Sequence, residues 1–165
     1  MRSIKKKLLV SVVVPAYNEE KLLARCLLSL TNQTFPRQDY EVIVVNNAST
    51  DKTVQIAEKY ADQVIDESQK GLMFARQAGF QAAKGKYILR TDADAFVPFN
   101  WIEQVVGTFQ KYPHAVAVSG FYYWDEPNIL AFFLCWIRVR YFSLLLFQYW
   151  RNLFLYLFLL EERLP

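Results

Sequence analysis

Short runs of β-branched residues alternate with amphipathic helical segments along roughly the first 120 residues of the chain. The first run, residues 8–14, is rich in valine and stops at Pro15, as expected for a parallel strand buried on both faces. Residues 21–32 follow with leucines on one helical face. Strand, helix and strand at this spacing imply right-handed crossovers. The sequence therefore predicts an α/β fold, with a parallel-rich sheet and helices on both faces.

The same alternation continues to about Gly120. Further strands are predicted at residues 41–45, 63–65, 86–90 and 115–119, and further helices at residues 52–60, 71–83 and 98–112. The third helix has a face of small residues, namely Ala75, Ala78, Gly79 and Ala82. A face of this kind lets a helix backbone lie close to a sheet, so we expect the third helix to pack directly on the strands.

Polar segments follow three of the predicted strands, at residues 17–19, 46–51 and 92–94. In parallel sheets, ligands bind beyond the carboxyl ends of the strands. Asp92 and Asp94, two residues apart at a strand end, point to the same side and can share a hard divalent cation. Such a cation is most useful where a diphosphate leaves. The alternative interpretation is a turn that caps the helix near Pro98.

The overall composition narrows the range of partners. The net charge is only +3, which does not call for a nucleic acid, although 53% of the residues are hydrophobic. Cys26 and Cys135 lack CxxC spacing and are predicted to be buried thiols in a reducing compartment. The basic and apolar N-terminus imitates a signal peptide but leads directly into a helix, so we interpret it as a first strand and place the domain in the cytoplasm.

From residue 126 onward the chain is dominated by leucine and aromatic residues, interrupted by Arg138, Arg140 and Arg151. It contains no stretch of eighteen clean apolar residues, so a membrane-spanning helix is not predicted. A basic, aromatic-rich helical tail at residues 126–165 is typical of a segment in the headgroup region, peripheral at the inner face of the membrane. Alternatively, part of this tail packs on the domain or on a further segment.

Four segments, taken together and in order, resemble the motifs of family 2 glycosyltransferases, which have the Rossmann-like GT-A fold. They are VVVPAYNEE at 12–20, VVNNASTDKT at 44–53, KGLMFARQAG at 70–79 and LRTDAD at 89–94. The resemblance covers residues 8–125 and implies a nucleotide-sugar-binding half-domain at residues 1–125. It further implies a nucleoside diphosphate sugar of the UDP or GDP type, bound with Mn²⁺ or Mg²⁺.

The resemblance also implies roles for individual residues. The nucleotide-sugar-binding residues would be Pro15, Tyr17, Asn18, Glu19, Asn47, Ser49, Arg76 and Asp92, and the metal-binding residues Asp92 and Asp94. Tyr17 offers a ring face to the base or ribose, and Glu19 accepts hydroxyl groups. Arg76 suits phosphate oxygens because its guanidinium presents forked donors.

Two positions of the second motif leave alternatives open. Asn47 occurs where members of the family often carry Asp to read the base, and an amide can both donate and accept hydrogen bonds. Asp51 belongs to the motif, but a cap of the following helix explains it equally well, as it does Ser49 and Thr50. His114, the only histidine, is predicted to be a surface residue.

The resemblance implies an inverting sugar transfer to a lipid-linked or envelope glycan. Its general base would lie downstream of the metal motif, and neither Glu161 nor Glu162 follows the Gly-rich strand expected before it. We therefore expect the first half of a transferase, truncated before that base, with an exposed sheet edge that favours homo-oligomers. The alternatives are a nucleotide- and metal-binding module without catalysis, and a phosphotransfer enzyme with Asp92 as nucleophile.

Overall fold

The computed structural model of the chain describes residues 8–120. Its centre is a sheet of four parallel strands in the order β3-β2-β1-β4. The strands are β1 (Val10–Ala16), β2 (Tyr40–Asn46), β3 (Gln63–Asp66) and β4 (Tyr87–Arg90). The helices are α1 (Leu23–Thr31), α2 (Thr53–Tyr60), α3 (Leu72–Ala82) and α4 (Trp101–Lys111), with a short 3-10 helix at Arg37–Asp39.

β1 is the central element of the domain. It pairs with β2 on one side and with β4 on the other, so that Val12 lies opposite both Val42 and Leu89. All seven residues of β1 are buried. A strand that is covered on both faces has no need for polar alternation, which explains the run of valines in β1.

The two faces of the sheet bury separate apolar cores. On one face Val12 and Val14 belong to a cluster with Leu27 of α1, Ala57 of α2 and Ile102 of α4. On the other face Val13, Ile43 and Val45 pack with Ala75 of α3. Helices therefore cover both faces of a parallel sheet, which confirms the predicted fold class.

The prediction of a fifth strand at residues 115–119 is wrong. This segment forms no strand in the structure, and Val116 is 98% exposed. Within residues 8–120, β4 pairs on one side only, with β1. A short apolar run becomes a strand only where it reaches an edge with which it can form hydrogen bonds, and the pattern of residues 115–119 carries no information about that edge.

Two helices begin two or three residues later than predicted. α4 begins at Trp101 rather than at Pro98, because residues 98–101 form a preceding turn in which the Trp101 N–H donates to the Pro98 carbonyl at 3.0 Å. α1 begins at Leu23, and turn residues occupy the two positions before it.

Cys26 is buried and unpaired with any other cysteine, as predicted, and His114 is exposed. Within the described residues, no helix is both long enough and apolar enough to cross a bilayer. The predicted helical tail at residues 126–165, with Cys135 and its arginines, lies outside the described part of the chain.

Candidate functional site

The loop after β1 and the loop after β2 are hydrogen-bonded to each other at the carboxyl edge of the sheet. The Asn18 N–H donates to the Ser49 hydroxyl oxygen at 3.1 Å, and the Thr50 N–H donates to Asn18 Oδ1 at 2.8 Å. Asn18 has a φ of 54°, in the left-handed region that asparagine tolerates better than most residues. Asn18 and Ser49, both predicted site residues, are therefore brought together.

Glu19 is fixed by a residue that the sequence analysis did not single out. Its backbone N–H donates to the hydroxyl oxygen of Thr53 at 2.8 Å, and Thr53 is fully buried at the start of α2. Asp51 accepts the Thr53 N–H at 2.9 Å, so its carboxylate bonds the first N–H of α2, although the N-cap residue is Lys52 and not Asp51 as predicted. A threonine at the first position of a helix, two residues after a capping acid, was the sequence signal available for Thr53.

Asn47 is buried and bonds to the segment that leads into α3. Its Nδ2 donates to the carbonyl oxygens of Glu67 at 3.2 Å and Gln69 at 2.6 Å. Its Oδ1 accepts the N–H of Gly71 at 2.7 Å. Residues 67–71 form what we call the α3 approach loop. Both amide donors are thus engaged within the chain, and the role of Asn47 in reading a base stays a prediction.

Tyr17 presents half of its surface at this edge. It is 50% exposed, and the ammonium nitrogen of Lys70 lies 5.8 Å from the centroid of its ring, within the range of a cation–π contact. Lys70 belongs to the α3 approach loop and was not among the predicted site residues. Pro15, by contrast, is buried in β1 opposite Val45.

Arg76 lies on α3 with an unsatisfied nitrogen. Its Nε is buried and has no hydrogen-bond partner among the described residues, while its Nη1 lies 4.0 Å from the Met73 sulfur. A buried guanidinium N–H without a partner is costly, so this atom is suited to an acceptor supplied from outside the described chain.

The loop after β4 brings its acids to the loop after β1. Burial raises the pKa of Glu19, and the nearby charges of Asp94 and Asp51 raise it further. Asp94 is exposed, and Asp92 is partly exposed with one oxygen 3.5 Å from Arg90 Nη1. Carboxylates from three loops therefore repel one another at this edge, and a bound cation would relieve that repulsion.

The thiol of Cys26 lies beneath these acids. It donates to the backbone carbonyl of Asp92 at 3.5 Å, which joins α1 to the acidic loop. Burial, with the charges of Asp94, Asp92 and Glu19, raises the pKa of the thiol to about 12. Cys26 is therefore a neutral packing residue at neutral pH and is not suited to act as a metal thiolate.

The carboxylates at this edge suit a cation that is also bound by the phosphate groups of a ligand. Among residues 8–120, no group of three His, Cys, Asp or Glu side chains is arranged to hold a metal ion. Mg²⁺ and chemically similar ions commonly take one or two carboxylates and complete their shell with water and substrate phosphates. Asp92 and Asp94 could supply such ligands, whereas an all-protein metal cage does not fit the described residues.

This fold matches solved structures of glycosyltransferases of the GT-A class. The structure of Staphylococcus aureus TarS, residues 1–349 in complex with UDP, superposes with a TM-score of 0.61 and 31% identity, over 64% of this chain and 33% of that one. The mannosyltransferase PcManGT from Pyrobaculum calidifontis, solved with GDP-Man and Mn²⁺, gives a TM-score of 0.56 and 28% identity, over 68% and 34% of the two chains.

The family model for Glycosyl transferase family 2 matches residues 11–156, and the chain belongs to this family. Glycosyltransferase AglE of Haloferax volcanii is 35% identical over 105 residues, which are 60% of this chain and 34% of AglE. The poly(ribitol-phosphate) beta-glucosyltransferase of Bacillus spizizenii is 40% identical over 95 residues, which are 53% and 15% of the two chains. The match thus spans about a third or less of the length of these relatives.

Proposed function

We propose that this domain binds a nucleoside diphosphate sugar together with Mn²⁺ or Mg²⁺ and serves as the donor-binding part of a glycosyltransferase. The observation that carries the proposal is the cross-bonding of the loops after β1 and β2 at the carboxyl edge of the sheet, with Asp94 of the loop after β4 near enough to Glu19 to raise its pKa. A parallel α/β sheet binds ligands at this edge. The family membership of the chain and the nucleotides bound by its structural neighbours point to the same ligand class.

The nucleoside would lie over the loop after β1. The exposed ring of Tyr17 offers a flat apolar face to the base, and the Glu19 carboxylate can accept hydrogen bonds from ribose hydroxyls. Asn18 and Ser49 would line the same pocket, because their hydrogen bond already joins the two loops that form it. Pro15 is buried in β1 and would shape the floor of the pocket.

The diphosphate would lie between α3 and the acidic loop. The partnerless Nε of Arg76 supports a phosphate contact, since a phosphate oxygen would satisfy it with a charge-assisted hydrogen bond. Asp94 and Asp92 would hold the cation, which when bound neutralises the charge that develops on the leaving diphosphate. Asp92 would also contact the ribose or a metal-bound water.

The acceptor belongs to the same proposal. We propose transfer with inversion to a lipid-linked or envelope glycan at the inner face of a membrane. The arginines and aromatic residues of the segment at 126–165 support this location, because such a composition suits the headgroup region. Cosedimentation of the full chain with phosphatidylglycerol vesicles, but not with phosphatidylcholine vesicles, would support the membrane contact, and absence from both would contradict it.

Calorimetric titration of the full chain with UDP and with GDP, each with and without Mn²⁺, tests donor binding. We expect at least one nucleotide to bind and its affinity to rise with Mn²⁺. Replacement Asp94→Asn should weaken the Mn²⁺-dependent binding by about tenfold or more, because it removes a charged ligand. Glu58→Gln is the matched control, since Glu58 is an exposed carboxylate on α2. A folded chain that binds neither nucleotide would overturn the proposal.

A further inference from the structure

The side chain of Asn47 makes three hydrogen bonds, all to the backbone of the α3 approach loop. Two are donated, to the carbonyl oxygens of Glu67 and Gln69, and one is accepted from the N–H of Gly71. The partners fix the orientation of the amide, because only the nitrogen can face two carbonyl oxygens. Asn47 itself is 6% exposed, so the contact is a buried one.

This set of partners requires an amide and excludes a carboxylate of the same shape. An aspartate at this position could accept the Gly71 N–H but would turn a second negatively charged oxygen toward the carbonyls of Glu67 and Gln69. Those carbonyls would lose both donors and face electrostatic repulsion. The chemistry of Asn47 is therefore matched to the loop.

The α3 approach loop in turn carries groups that reach the candidate site. Lys70 holds its ammonium over the ring of Tyr17. Gly71 has a φ of +139°, which favours glycine, and α3 starts immediately after it, one helical turn before Arg76. A displacement of the loop would therefore move both Lys70 and the beginning of α3.

We propose that Asn47 is a positioning residue: it holds the α3 approach loop so that Lys70 lies against Tyr17, and it does not itself discriminate between bases. The inference rests on the proposed function, because it concerns the same nucleotide site. It replaces direct reading of the base by Asn47 with an indirect effect through residues 67–71. Loss of the two hydrogen bonds donated by Asn47 should then lower the affinity for all nucleotides by the same factor.

The variant Asn47→Asp tests this inference in the full chain. UDP and GDP are each titrated by calorimetry in the presence of Mn²⁺, and hydrogen exchange is followed in the peptide that covers residues 67–71. We expect the affinity for each nucleotide that the wild type binds to fall about tenfold, the effect of losing two net hydrogen bonds, and the ratio of the two affinities to stay unchanged where both bind. We also expect faster exchange in residues 67–71. Glu58→Gln should change neither measurement.

A second variant loosens the loop without touching Asn47. The carboxylate of Glu67 accepts the Gln69 N–H at 2.7 Å within the loop. Glu67→Ala should therefore also lower the affinity for nucleotide, by a smaller factor than Asn47→Asp. This variant carries the test if Asn47→Asp does not fold. Rescue of affinity by Asn47→Gln is not expected, because the longer side chain would shift the amide away from its three partners.

Two results would overturn the inference. One is a changed ratio of UDP to GDP affinity in Asn47→Asp with wild-type exchange in residues 67–71, which would show direct reading of the base. The other is wild-type affinity for both nucleotides in variants with a loosened loop. Both results require that the wild-type chain binds nucleotide, so they differ from the failure of the proposed function, in which the wild-type chain binds neither.

Discussion

The backbone N–H of Glu20 donates to the carboxylate of Asp51 at 3.1 Å, which joins the loop after β1 to the loop after β2. The carboxylate of Glu20 in turn accepts the N–H of Lys52 at 3.3 Å. The two acids therefore hold the loops together through backbone donors rather than through each other. Since the other oxygen of Asp51 accepts the Thr53 N–H, one side chain joins the two loops and begins α2.

Replacement Asp51→Asn should lower stability in a manner that depends on pH. Partial desolvation raises the pKa of Asp51, but its hydrogen bonds from Thr53 and Glu20 together lower it below the ordinary value of 3.8. A carboxyl whose pKa is depressed by folding stabilises the folded chain above its unfolded pKa, and this contribution disappears as the pH falls through the folded value. Thermal unfolding between pH 7 and pH 3 measures the effect.

We expect the wild-type chain to unfold at a higher temperature than Asp51→Asn at pH 7, with a difference that shrinks below pH 3.8. Glu58→Gln, on the exposed side of α2, should leave the midpoint near its wild-type value. A difference between wild type and Asp51→Asn that stays constant over the whole pH range would contradict the proposed contribution of the charge.

Replacement Gly79→Ala should destabilise the domain although alanine favours helices. A Cβ at Gly79 would lie 2.3 Å from Val13 Cγ1 and 3.0 Å from Val45 Cγ2. Both valines are β-branched, buried and held in the sheet, so they cannot rotate away. Overpacking of this kind costs about 1–3 kcal/mol, which exceeds the helical preference for alanine. Urea unfolding gives the free energy directly.

Gly107→Ala provides the matched control in another helix. A Cβ at Gly107 would meet no atom within 4 Å, so this replacement on α4 should be neutral or stabilising by up to about 1 kcal/mol. Equal costs for the two replacements would show that the close approach of α3 to the sheet is absent. In a Val13→Ala background, the cost of Gly79→Ala should fall because the nearest atom is removed.

The two fully buried strands, β1 and β2, could be predicted from local pattern because a strand buried on both faces needs few polar residues. The valine run of β1 and the small residues Ala75 and Gly79 led to the correct layers of the fold. The segment at 115–119 has the same local character, but whether such a segment pairs depends on an edge far away in the sequence. Non-local pairing explains this error.

The side chains that reach the edge of the sheet were predictable only in part. Carboxylates at strand ends, such as Asp94 and Glu19, are visible in the sequence because their spacing follows the strands. The bonds of Asn47 to residues 67–71 and the contact of Lys70 with Tyr17 are not, since they join loops that lie far apart in sequence. Contacts between loops depend on the folded arrangement of the strands.

Cys26 should resist alkylation in the folded chain. Its thiol is buried and its pKa is raised to about 12, so almost no thiolate exists at pH 8. Incubation with iodoacetamide at pH 8, followed by mass spectrometry of the peptide that contains Cys26, should show modification only after unfolding in urea. Rapid modification of this peptide in the folded chain would show that the site opens to solvent.

Replacement Gln33→Ala should loosen the loop that carries the two candidate metal ligands. Gln33 follows α1, and its Nε2 donates to the carbonyl of Pro98 at 2.8 Å while its Oε1 accepts the Ile102 N–H at 3.0 Å. The residue that precedes α4, Asn100, makes no side-chain capping bond, so Gln33 caps this helix from another element. Loss of such a cap costs about 1 kcal/mol.

A second replacement, Gln33→Glu, separates the capping of α4 by Gln33 from its contact with the Pro98 carbonyl. Gln33→Glu keeps an acceptor for the Ile102 N–H but loses the donor to Pro98, so it should retain more of the stability than Gln33→Ala. Both variants should weaken Mn²⁺-dependent nucleotide binding, because the loop that carries Asp92 and Asp94 ends at this contact, and both should do so less than Asp94→Asn. Urea unfolding and calorimetry measure the two effects. If both variants match the wild type in unfolding midpoint and in nucleotide affinity, the contact between Gln33 and Pro98 neither stabilises α4 nor positions the loop that carries Asp92 and Asp94.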